Sequence, residues 1–292
     1  MKTIINLWRL LRPRHWVKSG FVFLGILFAN EWRQPAMFER VLFTAVAFSL
    51  VSSGVYAIND VFDRQQDAAH LVKRNRPVAS GELSITIVIL FANILWLTSL
   101  VLGYFVSGRV ALILAIYILM NLAYSASLKN VVLLDVFIIA AGFMLRILAG
   151  TVGVGIHPSQ WLLLCGLMVA LFLGFAKRRA ELYTAGADAK AVRKVLQVYQ
   201  PVLLDKMIVI TATGVILTYS LYTTSPATIQ VHHTENLIYT VPFVMYGIFR
   251  YIYRLHQSAT GTDPAIELFR DPHILVSMVG WLLVTVWLIG GS

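Results

Sequence analysis

Asn59, Asp60, Asp63 and Asp67 fall within nine positions, directly after an almost uncharged apolar run, and Lys73, Arg74 and Arg76 follow. On a helix turning about 100° per residue, the three carboxylates share an arc of about 60°, which Asn59 widens to about 100°. Anions crowded on one face repel and destabilise the helix that carries them, so something positive must compensate. With no His or Cys among them, these hard oxygen donors suit Mg²⁺. That ion binds through one or two carboxylates plus substrate phosphates rather than in an all-protein cage. The basic residues downstream would then complete a phosphate grip, the arginines through bidentate contacts. Spacing alone leaves two other readings open: a solvated, salt-bridged helix end, and an ion pathway of a transporter, which also places acids at the ends of membrane spans.

Further along, Tyr124 and Lys129 flank a short turn, and Lys129 suits a phosphate contact or simple membrane topology. Asp135 and Arg146 are eleven residues apart on one apolar run. They share a face but lie about 16 Å apart along the axis, too far to pair directly. Asp135 is a candidate for a ligand or metal contact; Arg146 is equally a structural partner between helices or a functional residue. Lys177, Arg178 and Arg179 form a basic triplet, read either as phosphate ligands or as a membrane boundary. Asp263, Glu267 and Asp271 recur at four-residue spacing beside Arg270, as an amphipathic interfacial helix also would. His232 and His233 receive no role.

These residues need elements to carry them. Of 292 residues, 58% are hydrophobic and 13% charged, and the mean hydropathy is +0.75; an ordinary soluble domain has roughly 25% charged residues. The composition predicts an integral membrane protein, so the net charge of +10 is read by its placement and not as a nucleic-acid surface. One cysteine, Cys165, excludes a disulfide framework. The basic first fifteen residues lack a long apolar core, so no removable signal peptide is expected. Nine apolar runs are long enough to span as helices: about 17–33, 37–58, 84–106, 109–127, 132–152, 160–176, 203–223, 237–254 and 273–290. None alternates with period two, so a β-barrel is not expected. Twenty Lys and Arg residues fall on the side of the N-terminus, against Arg33, Arg40 and Arg109 on the other, with Arg146 in mid-span. The positive-inside rule therefore places the N-terminus and the acidic stretch in the cytoplasm. Residues 1–16 put Ile4, Leu7, Trp8 and Leu11 on one stripe with Arg9 and Arg12 elsewhere. That is an amphipathic helix on the inner leaflet, either a plain anchor or a grip on a lipid phosphate.

"NDVFDRQQD" (59–67) followed by "KRNRPVASG" (73–81) resembles the first aspartate-rich motif of the UbiA prenyltransferase superfamily. "YSASLK" (124–129) and "LLDVFIIAAGFMLRILAG" (133–150) resemble its middle region. With "LRPRHWVKSGFVF" (11–23), "FAKRRAEL" (175–182) and "DPAIELFRDPHIL" (263–275), nearly the whole chain is similar to one branch, the decaprenyl-phosphate phosphoribosyltransferases. Leu71 stands where proline is expected and Ser19 where asparagine is, neither at a ligand position. The resemblance implies an all-α bundle of about nine transmembrane helices, one catalytic domain over 1–292, in a bacterial or archaeal cell membrane. It implies Mg²⁺-dependent transfer of phosphoribose from phosphoribosyl diphosphate (PRPP) to a polyprenyl phosphate, feeding arabinose-containing or related cell-surface glycans. Asp60 and Asp63 would be catalytic and, with Asp67, hold the metal. Asn59, Lys73, Arg74, Tyr124, Lys129, Asp135, Lys177 and Arg178 would bind substrate. Prenyl-transferring relatives carry a second acidic cluster after the sixth span. Here "AKRRAELYTAGADAK" (176–190) offers only Glu181 and Asp188, which favours a donor with one metal-bound diphosphate and a separate phosphate. A prenyltransferase acting on an aromatic acceptor and a cation-coupled transporter are the alternatives.

Overall fold

The structure, a computed structural model, describes residues 2–69, 73–185, 194–257 and 271–290; Asp188, Asp263, Glu267 and Arg270 lie outside them. The described residues contain no strand. A short helix α1 (Lys2–Leu11) leads into a 3₁₀ segment (Pro13–Phe23) and α2 (Leu24–Phe28). Then come α3 (Pro35–Phe62), the short α4 (Arg64–Ala69), α5 (Ile85–Val106) and α6 (Gly108–Ala126). The second half holds α7 (Leu134–Leu148), which continues into a π-turn at Ala149–Gly153, and α8 (Gln160–Ala185). It ends with α9 (Pro201–Thr224), α10 (Pro226–His232), α11 (Val241–Gln257) and α12 (Pro272–Gly290).

Local chemistry sets these boundaries. Pro35, Pro201 and Pro226 each open a helix, where the missing N–H is no loss. Ser84 and Ser107 cap α5 and α6, accepting from Ile87 N at 3.4 Å and Val110 N at 3.1 Å. Among the described residues, seven helices are long and apolar enough to cross a membrane. The other two expected spans are composite. Residues 17–33 form the end of the 3₁₀ segment and α2, because this stretch is pressed against the π-turn. A Cβ on Gly150 would lie 1.8 Å from the Val22 carbonyl oxygen. The run at 237–254 starts as a 3₁₀ turn (Asn236–Thr240) before α11.

Two apolar cores meet along α7. One joins Val136 and Phe143 to Phe172 of α8, Leu204 and Ile208 of α9, and Tyr251 of α11. The other joins Ile26, Phe48, Val51, Leu114 and Ile118 to Ala149. Leu90, Ile94 and Leu97 of α5 and Val209, Ile210 and Leu217 of α9 face outward. Lipid accepts such a surface, while the helices satisfy the backbone internally. Of the stripe expected on α1, Ile4 and Trp8 are exposed while Leu7 and Leu11 are half-buried, and the side chain that enters the core is one outside it. Leu10 is buried beside Ala57, Ile58 and Leu83, whereas Ile4, Ile5 and Trp8 are exposed.

Candidate active site

The last turn of α3 carries Asn59 and Asp60, and Asp63 closes the helix with φ −90° and ψ 4°. Helical bonding nevertheless runs through the break: Asp63 N donates to Asn59 O at 2.9 Å and Asp67 N to Asp63 O at 2.8 Å. The three carboxylates therefore stay on one side, as the spacing predicts. They are 2%, 7% and 4% exposed, which disposes of a solvated helix end. Buried carboxylates need charge partners, and each has one. Arg12 Nη2 donates to Asp60 Oδ1 at 2.5 Å. Arg76 Nη1 lies 3.0 Å from Asp60 Oδ1 and 2.6 Å from Asp67 Oδ2. Lys129 Nζ donates to Asp63 Oδ1 at 2.5 Å, and Asn59 Nδ2 to Asp63 Oδ2 at 2.9 Å. Ser125 Oγ in turn donates to Asn59 Oδ1 at 3.2 Å. Burial pushes the Asp67 carboxyl above its ordinary range, against the pull of Arg76.

A second buried cluster lies beside the first. Arg178, wholly buried, donates from Nε to Asp135 Oδ2 at 2.5 Å and from Nη2 to Tyr124 OH at 2.9 Å, and its Nη1 pairs with Glu181. Tyr199 OH donates to Asp135 Oδ1 at 2.7 Å while accepting from Leu133 N at 2.8 Å. Burial, reinforced by the Asp135 carboxylate, holds the Tyr199 phenol well above its ordinary pKa. Tyr124 and Ser125 are neighbours on α6, so the end of that helix touches both clusters. Asp135 and Arg178, assigned separate substrate roles from sequence, are thus an ion pair. Lys177 is half-buried next to Arg178, Arg74 is exposed, and Lys73 is half-buried. Arg146 is an interhelical link. Its Nη2 donates to Ser52 Oγ at 2.7 Å and to Tyr117 OH at 3.1 Å, and its guanidinium lies 5.1 Å from the Phe48 ring centre.

Sequence reasoning missed Arg12 and Ser125 as site residues, and it listed Arg76 only as part of the basic run. Each meets its partner across the fold, at sequence separations of 48 for Arg12 and 66 for Ser125, which no local pattern encodes. A cavity of about 440 Å³ opens deeper in the bundle. Phe21, Phe28, Trp161, Phe172, Tyr219 and Trp281 are among the side chains lining it, so it is fitted to hydrocarbon.

The donors fit a divalent metal. No group of three His, Cys, Asp or Glu side chains forms a ready-made cage among the described residues. Instead Arg76 Nη1 occupies the place of a cation between Asp60 Oδ1 and Asp67 Oδ2. Two carboxylates completed by substrate phosphates are the usual Mg²⁺ arrangement.

The model of the UbiA prenyltransferase family matches residues 19–270, and the chain belongs to that family: it is a multi-spanning membrane enzyme of the UbiA transferase type. Among individual proteins it is similar to the decaprenyl-phosphate phosphoribosyltransferase of Mycolicibacterium smegmatis, 30% identical over 290 residues that cover 96% of this chain and 91% of the relative. The decaprenyl-phosphate phosphoribosyltransferase of Corynebacterium glutamicum is 31% identical over 287 residues, 94% of this chain and 84% of the relative. The fold matches the structure of a UbiA homolog from Archaeoglobus fulgidus bound to DMAPP and Mg²⁺, with TM-score 0.74 and 17% identity over 98% of this chain and 99% of that one.

Proposed function

We propose that the chain transfers 5-phosphoribose from PRPP to a polyprenyl phosphate and releases diphosphate, for cell-envelope glycan precursor synthesis. The observation that carries this reading is that, among the described residues, Asp60, Asp63 and Asp67 are the single cluster of three neighbouring carboxylates. Where prenyl-transferring relatives place a second one, α8 carries Arg178, paired with both Asp135 and Glu181. The likeness to phosphoribosyltransferases over most of their length supports it.

In this reading Asp60, Asp63 and Asp67 would hold the metal and its diphosphate, with Asp63 kept in place by Lys129 and Asn59. Mg²⁺ bound there stabilises the charge that gathers on the diphosphate as it leaves. The bond from C1 of the ribose to the diphosphate oxygen breaks, and one from C1 to an oxygen of the acceptor phosphate forms. That oxygen is already anionic at neutral pH, so no strong general base is needed. Lys73, Arg74, Lys129 and Lys177 balance the phosphates. The Tyr124–Arg178–Asp135 cluster fixes α6, α7 and α8 beside the ribose, and the apolar cavity takes the prenyl tail.

The test uses purified protein, Mg²⁺, polyprenyl phosphate and PRPP labelled in the ribose. Label should enter the lipid fraction. Label that moves only from a prenyl diphosphate to an aromatic acceptor replaces this reading with the prenyltransferase one.

A further inference from the structure

Two cavities back onto each other in the half of the bundle away from the carboxylates. One is the apolar cavity of about 440 Å³. The other, of about 320 Å³, lies beside Met37, at the opposite end of α3 from Asp60. Phe28 and Leu162 line both. The second space differs in chemistry, since Glu31, His157 and Ser159 stand in its wall. Two apolar side chains thus separate a space fitted to hydrocarbon from one with polar groups. Protein interiors are close-packed and cavities cost stability, so an adjoining pair with so thin a wall is to be explained by what it holds.

The end of the apolar cavity is secured in two ways. Trp281 Nε1 donates to Tyr219 OH at 2.6 Å, Tyr219 OH and Thr240 Oγ1 lie 2.6 Å apart, and Tyr222 OH meets His232 Nε2 at 2.8 Å. Hydrogen bonds fix that part. Phe28 and Leu162 offer only hydrocarbon. The Phe28 ring packs edge-on to Tyr222, with centres 5.1 Å apart, and its centre lies 6.1 Å from that of Trp281. Its backbone has little room to yield, because one turn earlier a Cβ on Gly25 would lie 2.5 Å from the Gly150 carbonyl oxygen. Leu162, 7% exposed, stands in the first turn of α8, where its N–H donates to Ser159 Oγ at 3.1 Å. The wall is firmly mounted and closed by packing alone.

Volume sets a depth. A dry cavity of about 150 Å³ takes one six-carbon ring. By that measure the apolar cavity takes roughly three five-carbon isoprene units, and opening the wall would admit roughly two more. We infer that Phe28 and Leu162 form a stop that sets how much of a prenyl tail the protein holds. The units nearest the phosphate enter the cavity, and the remainder of a longer tail lies in lipid. That the occupant is a prenyl tail rests on the proposed function; the stop rests on the two cavities and the wall they share.

Photolabelling of the full chain in phosphatidylcholine nanodiscs tests this, using prenyl phosphates of three and five units with a diazirine at the far end of the tail. In wild type the three-unit probe should label the end of the cavity, at Trp161 or Trp281. The five-unit probe should label neither Met37 nor His157 of the second space. Phe28→Ala should bring its label to both, and Leu162→Ala, which cuts the same wall from α8, should do so too. The milder Phe28→Leu should bring less. Labelling of the cavity by the three-unit probe in each variant reports that the fold is kept. Label at Met37 in wild type equal to that in the variants overturns the stop. So does a five-unit pattern that none of the three substitutions changes. A three-unit probe that labels no cavity residue in wild type overturns the placement of the tail in the proposed function. Labelling as expected without ribose transfer would overturn only the proposed reaction.

Discussion

One nitrogen of Arg76 serves both Asp60 and Asp67, and Lys129 Nζ serves Asp63, so each carboxylate is paired and positioned before any ligand arrives. Asp60→Asn and Asp63→Asn keep the shape and remove the charge. Each should lower transfer about 100-fold or more, on the scale of deleting one electrostatic contact to a leaving group, while the protein remains membrane-inserted. Wild-type turnover in either variant at saturating Mg²⁺ would sink the metal assignment. Arg178 belongs to a different category. Removing it takes the cation away from Asp135, which is wholly buried, and breaking a buried pair this way costs about 3–5 kcal/mol. Arg178→Ala should therefore be read first as a loss of thermal stability in detergent. An unchanged melting temperature with weakened PRPP binding would return the guanidinium to the substrate.

At the scale of elements, α12 shows how one acid of an ambiguous run acquires a definite purpose. Asp271 Oδ1 accepts from His273 N at 3.0 Å and Ile274 N at 3.1 Å, capping the helix. Its Oδ2 meets Arg250 at 3.0 Å and Arg254 at 3.3 Å on α11. Asp271→Ala should cost about 1–2 kcal/mol, the usual value of a lost N-cap, seen as a lower melting temperature. The hydrogen bond from Arg250 holds the Asp271 carboxyl below its ordinary range. A pKa depressed by folding adds stability above the unfolded value, and that stability is lost as pH falls through the folded one. The stability gap between wild type and Asp271→Asn should thus close on acidification below about pH 4. A gap that stays constant would show that the ion pairs with α11 contribute nothing.

The bundle as a whole has two distinct ends. Lys129 to Asp63, Arg9 to Asn75 and Arg178 to Tyr124 tie the predicted inner segments together. At the other end Arg33 donates to the Gly290 carbonyl at 2.7 Å and Ser107 to the Gly153 carbonyl at 2.6 Å. Cysteine introduced at Ser80 or Gln200, both exposed, should react with a membrane-impermeant reagent only when the inner face is opened. Cysteine at Glu235 should react in intact cells, and the reverse pattern would invert the topology. Much of this was legible in the sequence. Hydropathy over some twenty residues is a local property, as is a 60-degree arc of acids, so seven spans and three clustered carboxylates could be read directly. The composite first span could not, because its form depends on Gly150 touching Val22 from across the chain. Nor could the partnership of Asp135 with Arg178, 43 residues apart, since pairing between helices is set by packing and leaves no periodic trace.

The guanidinium lodged between Asp60 and Asp67 also sets the order in which ligands cooperate. A metal arriving alone must expel a cation that has nowhere favourable to go, and the exchange of one positive charge for another gains little. A diphosphate arriving with the metal offers the displaced Arg76 a new anion. Metal and diphosphate should then bind with positive heterotropic coupling, and by thermodynamic reciprocity each raises the other's affinity by the same factor. Mg²⁺ titrated without pyrophosphate should bind weakly, and with it, tightly. Equal affinities in the two titrations would mean that Arg76 stays where it is.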